Sequence, residues 1–98
     1  MSLSLVFRNA AQAEFDGAAL WYEARCGGLG THFVAEVQRV LDTIVNQPDR
    51  YPVVYGDVRE AAVRRFPYCV YYRAKADRVV VIAVFHTSRD PAVWQARS

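Results

Sequence analysis

Residues 58–86 read VREAAVRRFPYCVYYRAKADRVVVIAVFH, and this stretch decides the fold. From Val58 to Phe66 the side chains alternate, with Arg59, Ala61, Val63 and Arg65 on one face and Ala62, Arg64 and Phe66 on the other. Period-two alternation belongs to a strand with one face buried. Pro67 has no N–H to give to a ladder and ends it. Tyr68 to Arg73 is the next strand, Ala74-Lys75-Ala76-Asp77 turns the chain, and Val79 to His86 is an almost unbroken apolar run. A strand without polar alternation is buried on both faces, so this one lies centrally in its sheet.

Working outward, Tyr51 to Tyr55 approaches in extended form and Gly56-Asp57 turns into the first of these strands. Before Pro48 the period changes to that of a helix. Phe33, Val34, Val37, Val40, Leu41, Ile44 and Val45 form one stripe, and Thr31 is the best N-cap. An earlier helix runs from Asn9, its expected cap with Gln12 as capping-box partner, through Phe15, Ala18, Ala19 and Tyr22 to Cys26-Gly27-Gly28. The short link predicts a helical hairpin. Ser4 to Arg8 is a β-leaning start. The order β-α-α-β-β-β is α+β: a helical hairpin packed on one face of a small antiparallel sheet. Phe15, Tyr22, Val37, Leu41 and Ile44 are expected to pack on Val70, Val80 and Ile82, with the arginines on the opposite sheet face.

The length of 98 residues predicts one domain, and a composition 53% hydrophobic and 13% aromatic predicts a packed core. No apolar run approaches the ~20 residues of a membrane span, so a cytoplasmic protein is expected. Cys26 and Cys69 lack metal-site or CxxC spacing and are expected to be reduced and packed. Net charge is +2, but residues 1–49 carry three arginines against six acids, whereas residues 50–98 carry eight arginines and Lys75 against four acids. Arginine makes bidentate contacts with phosphate and carboxylate, so the C-terminal half suits an anionic partner. A GC-rich coding bias also replaces Lys by Arg, but it leaves the asymmetry between halves unexplained.

Arg59, Arg64, Arg65, Arg73, Arg78 and Arg89 fall on the C-terminal strands or their ends, interleaved with Tyr68, Tyr71 and Tyr72. Such a surface suits RNA or an extended acidic peptide, against the plainer reading that these arginines only solvate an exposed face. At the end of the last strand, His86 has the chemistry of a general acid or base and Arg89 that of a phosphate ligand. A structural role for both, in a turn set by Asp90-Pro91, is the alternative. His32 starts a helix and should be exposed. No phosphate-binding glycine loop or HExxH is present, so neither a metal nor a cofactor is expected.

Four segments together resemble the RelE/ParE superfamily of toxins from type II toxin-antitoxin modules. They are Phe15-Asp16-Gly17-Ala18-Ala19-Leu20-Trp21-Tyr22-Glu23; Gly28-Leu29-Gly30-Thr31-His32-Phe33 with Val37 and Leu41; Val63 to Tyr72; and Val84-Phe85-His86-Thr87-Ser88-Arg89-Asp90-Pro91. The likeness spans residues 3 to 94 and implies a small α+β toxin wrapped by a cognate antitoxin in a hetero-oligomer. Off-stripe Trp21 and the set Arg59, Arg64, Arg65, Tyr71, Arg73 and Arg89 are the expected target- or antitoxin-binding residues.

The superfamily holds two toxin classes, and residue chemistry must separate them. Ribosome-dependent mRNA endonucleases use several Lys or Arg with a Tyr or His near the C-terminus. Here Lys75 lies in a hairpin turn, Cys69 falls where such members place an arginine, and Trp94 where a terminal Tyr is expected. As a nuclease the chain would rely on His86, Arg65 and Arg89, with the ribosome and mRNA as partners. The turn Phe85-His86-x-x-Arg89-Asp90 is instead similar to ParE members, which poison DNA gyrase without nuclease chemistry. The expectation is a gyrase-binding toxin; the alternatives are the RNase and a degenerate toxin that keeps only antitoxin binding.

Overall fold

In the computed structural model, which describes residues 3–98, the element order is β1 (Ser4–Phe7), α1 (Asn9–Arg25), α2 (Leu29–Asn46), β2 (Val53–Tyr55), β3 (Val58–Ala62), β4 (Tyr68–Ala74), β5 (Arg78–His86) and α3 (Ala92–Gln95). The strands form one sheet in the order β1-β5-β4-β3-β2. The α+β class and the hairpin on one sheet face are as expected. Three features were not foreseen. The extended approach to the sheet becomes the edge strand β2, β1 joins β5 in parallel, and a short α3 follows the sheet. Parallel pairing follows from connectivity, because α1 and α2 lie between β1 and the rest of the sheet.

Both helix starts differ from the sequence expectation. Arg8, not Asn9, takes the cap position of α1 with extended backbone and no side-chain cap bond. Its N–H is held by Val81 O at 3.0 Å and its carbonyl accepts the Gln12 N–H at 3.0 Å, so pairing with β5 sets where the helix begins. Helix α2 begins at Leu29 rather than after Thr31, with Gly28 left-handed at φ 90°. Its cap comes from the other helix: the Glu23 carboxylate accepts the N–H of Gly28 at 2.8 Å and of Gly30 at 2.9 Å. These N–H donors, Gly28 first, hold the Glu23 carboxyl below its ordinary range. The two helices touch at Gly30, where a Cβ would lie 2.5 Å from Ala19 O.

On the hairpin side, Phe33, Val37, Leu41 and Ile44 are buried with Val70, Tyr72, Val79, Val81 and Val84, and Phe15 and Tyr22 pack against them. Val80 and Ile82, expected in this layer, are not in it. Register explains the change: Tyr71 pairs with Ala83 but Tyr72 with Val81, so Ile82 is an extra residue that switches the facing of β5. Ile82 therefore joins Val58, Cys69, Tyr71, Ala83, Phe85 and Trp94 in a second cluster. That face is thus a small core roofed by α3, not the arginine surface expected from the sequence. Cys69 is buried there and burial pushes its thiol up, whereas Cys26, expected to be packed, is exposed.

Strand β3 stops at Ala62, four residues short of the predicted Phe66. Val63 N–H bonds to Tyr68 O at 2.9 Å and Tyr68 N–H to Phe66 O at 2.8 Å, which closes a turn. Val63 and Phe66 are both buried with the helices, so the chain must bend to bring them to one side.

Candidate functional site

A groove of about 600 Å³ runs between α1 and the end of the sheet. Glu14, Gly17, Trp21 and Tyr22 form its α1 wall, and Tyr68, Val84, His86 and Arg89 the other. The cause is the short β1, which pairs only with Arg78 to Val81 and leaves the rest of β5 without a strand on the edge away from β4. Side chains replace it. Glu14 Oε1 accepts the Val84 N–H at 3.2 Å, and Arg97 Nη1 donates to Ile82 O at 3.3 Å. Glu14 also pairs with Arg97 (2.8 Å) and Arg89 (3.0 Å), and Arg89 lies over the Phe85 ring at 4.1 Å. The bond to Glu14 raises the already high pKa of Arg97.

His86 has a constrained protonation pattern. Its Nδ1 accepts the Ser88 N–H at 3.0 Å, and the Ser88 hydroxyl lies 2.8 Å from the same nitrogen. A backbone N–H can only donate, so Nδ1 holds a lone pair and the neutral ring carries its proton on Nε2. The one lone pair that a neutral histidine offers as a base is already engaged. Tyr68, edge-on to His86 with ring centres 5.1 Å apart, and Tyr22 are the groove's phenols, and burial raises the pKa of each above the ordinary phenol value. Both stay protonated at neutral pH.

The expected binding residues divide into three groups. Trp21, His86 and Arg89 meet in the groove. Trp21 is 53% exposed on its lip, with the Arg25 guanidinium 4.3 Å from its ring centre. Arg64 and Arg65 form the tip of the adjoining β3–β4 turn, fully outward, and Arg65 is left-handed at φ 69°. That conformation costs a non-glycine residue about 1–2 kcal/mol and is held by the buried anchors Val63 and Phe66 on either side. Arg59, Arg73 and Tyr71 lie outside the groove, each in contacts of its own. Arg59 donates to Tyr51 O at 2.6 Å and pairs with Asp49, while Arg73 binds Asp57 at 2.7 Å and keeps that carboxyl below its ordinary range. Tyr71 stacks under Trp94, centres 4.0 Å apart, and donates to Glu60 at 2.7 Å; burial and then that bond raise its pKa.

For the nuclease set, Arg65 does not line the groove, Arg89 is paired with a Glu14 carboxylate that Arg97 shares, and His86 Nδ1 accepts the Ser88 N–H. Trp94 is buried in the far-face cluster, away from this groove's lining. Sequence reasoning missed Glu14 and Arg97, and named Tyr68 only as one of the aromatics among the strand arginines. For Glu14 a signal existed: it sits beside Ala11, Phe15 and Ala18 on the inward side of α1, where a carboxylate requires a partner.

Residues 5–91 match the sequence model of a family described as "ParE toxin of type II toxin-antitoxin system, parDE". No curated protein matches the chain significantly. Among solved structures, a chain of the "Chromosomal ParDE TA system from P. aeruginosa" superposes with a TM-score of 0.76 at 16% identity, over 89% of this chain and 98% of that one. That likeness is one of fold, and it agrees with the family match, which covers most of the sequence. The chain belongs to the ParE toxin family of type II toxin-antitoxin systems.

Proposed function

We propose that this chain arrests growth in the cytoplasm by binding DNA gyrase, and that a cognate antitoxin neutralises it by docking in the groove along α1. The observation that carries the target reading is the geometry of His86. Ribonuclease chemistry at a 2′-hydroxyl needs a base with a free lone pair and an acid with a mobile proton. The Ser88 N–H occupies the first, and the groove's phenols, Tyr22 and Tyr68, have raised pKa values that suit neither role. A toxin that acts by binding alone has no such requirement. The experiment is the purified chain in parallel gyrase supercoiling and ribosome-programmed mRNA cleavage assays. Inhibition of supercoiling without cleavage is expected; cleavage at ribosomal A-site positions would make the chain an RNase, and silence in both would leave only antitoxin binding.

The antitoxin reading rests on surface left uncovered. Helix α1 has no single apolar stripe: Ala11 and Ala18 are buried, while Leu20 and Trp21 are 72% and 53% exposed. A helix apolar on both sides expects cover on both. The groove beside it offers apolar walls at Tyr68 and Val84 and two arginines that share the single carboxylate of Glu14, so the fitting occupant is an apolar segment with acidic side chains. Among the described residues no helix is long and apolar enough to cross a membrane.

A further inference from the structure

The two turns at the open end of the sheet lie side by side. Thr87 N–H bonds to Pro67 O at 2.8 Å, and Tyr68 pairs with His86, which places the Arg64-Arg65 tip next to the Thr87-Ser88-Arg89 turn. Among the described residues, Arg39, Arg59, Arg73, Arg78, Arg89 and Arg97 each have a carboxylate within ion-pair distance; Arg8, Arg25, Arg50, Arg64 and Arg65 have none and are exposed, and of these only Arg64 and Arg65 are neighbours in sequence. They are the one pair of sequence-adjacent basic residues in the chain. The backbone holds them there against strain, in a turn pinned by buried neighbours, with Arg65 left-handed. A solvated turn tip does not call for two adjacent uncompensated cations.

From this arrangement we infer that the Arg64-Arg65 tip is a contact for the phosphate backbone of duplex DNA. The charge selects an anion, and the inward-facing ring of the turn itself selects the kind. Single-stranded nucleic acid is held by aromatic faces on which bases stack. Here the turn's own ring is committed inward: Phe66 is buried and stands edge-on to Phe33, with centres 5.1 Å apart. His32, 5.4 Å from Phe66, faces Glu36 at 3.5 Å. Cations without stacking partners read phosphates and not bases, as sequence-independent duplex contacts do. Acids on neighbouring elements are engaged elsewhere: Glu14 with Arg89 and Arg97, Glu36 with His32 and Arg39, and Asp90 with the Ala92 N–H at 3.0 Å. The inference rests on the gyrase reading for its setting, the duplex that enzyme holds, but the contact is tested without gyrase.

The test is binding of the intact chain to a fluorescein-labelled 20-base-pair duplex, by anisotropy across a low-salt series, with amide shift mapping. Binding is expected to be weak, to shift the amides of Arg64, Arg65 and Thr87, and to fall with salt. Replacing both arginines, Arg64→Gln with Arg65→Asn so that the left-handed position is tolerated, should lower the slope of log K against log salt by about 1.8. Lys75→Gln, at the opposite end of the β4 strand, should leave the slope unchanged and serves as the charge control. No detectable duplex binding, an unaltered slope in the double variant, or equal binding of a single strand or of polyglutamate at the same amides would overturn the inference. Gyrase inhibition by a chain that fails these tests would leave the target reading standing, and duplex binding without gyrase inhibition would do the reverse.

Discussion

Glu14, midway along α1, and Arg97, next to last in the chain, form a two-point ion pair: Nη1 lies 3.0 Å from Oε1 and Nη2 2.8 Å from Oε2. The pair ties the end of the chain to the first helix and closes the edge of β5 through Val84 N–H and Ile82 O. It is largely shielded from water, with 14% and 21% of the two side chains exposed. Removing the charge with Glu14→Gln should destabilise the fold by about 1–3 kcal/mol, since Arg97 loses its partner in a partly buried site. Chemical denaturation measures this, and an unchanged midpoint would mean the tail is not held by the pair.

Gly30 should not tolerate a side chain. A Cβ there would meet Ala19 O at 2.5 Å and the Glu23 Cβ at 2.8 Å, so Gly30→Ala must push the helices apart. The expected loss is about 1–3 kcal/mol, the range for overpacking. Equal melting of parent and variant would show that the hairpin can open there freely.

Leu41 is 1% exposed between the hairpin and the sheet. Its replacement by Ala should cost about 2–5 kcal/mol through the cavity left behind. A loss below about 0.5 kcal/mol would be incompatible with a buried α2 stripe.

Tyr72 is fully buried, donates to Pro48 O at 2.6 Å, and its phenol is pushed up to about 12 by burial above all. The unfolded phenol titrates near ~10. Because the folded pKa is the higher one, the unfolded state gives up this proton first as pH rises. The stabilisation is therefore complete below about pH 10 and is lost progressively towards pH 12. Absorbance titration should show Tyr72 ionising only with unfolding; ionisation with exposed Tyr55 while the chain remains folded would contradict this.

How far the sequence could be read depended on whether an interaction was local. The α2 stripe, the β4–β5 hairpin turn and the buried β5 strand follow from spacing within a single element, and they stand as expected. The α2 cap does not, because its carboxylate comes from Glu23 on the other helix; a local scan points to Thr31. The wrong neighbours for Ile82 have the same origin, since a one-residue bulge changes facing without altering apolar composition. At the site, Trp21, His86 and Arg89 were recognisable by residue type. That Arg59 and Arg73 hold loops, and that Glu14 gathers two arginines, depends on long-range pairing that no spacing records.

Antitoxin binding should combine charge with apolar contact. Affinity is expected to fall as salt rises, because ion pairs at a partly exposed arginine are screened over a Debye length of about 8 Å at physiological strength. Trp21→Ala should weaken binding by about 2 kcal/mol or more, as a buried aromatic anchor does, while melting stays unchanged for a ring that is 53% exposed in the free chain. Salt-independent affinity with a neutral Trp21 variant, in titration calorimetry, would move the antitoxin off this groove.

The central claim, that growth arrest involves no proton transfer at His86, is tested most directly by the toxicity of His86→Gln on induction in cells, with thermal unfolding as the control. General acid–base catalysis typically supplies about 10²–10⁴ in rate, so a nuclease would lose nearly all toxicity with this change. The account predicts that His86→Gln still arrests growth with only a modest change in potency. Complete detoxification with unchanged melting, alongside mRNA cut at ribosomal A-site positions by the parent chain, would contradict it.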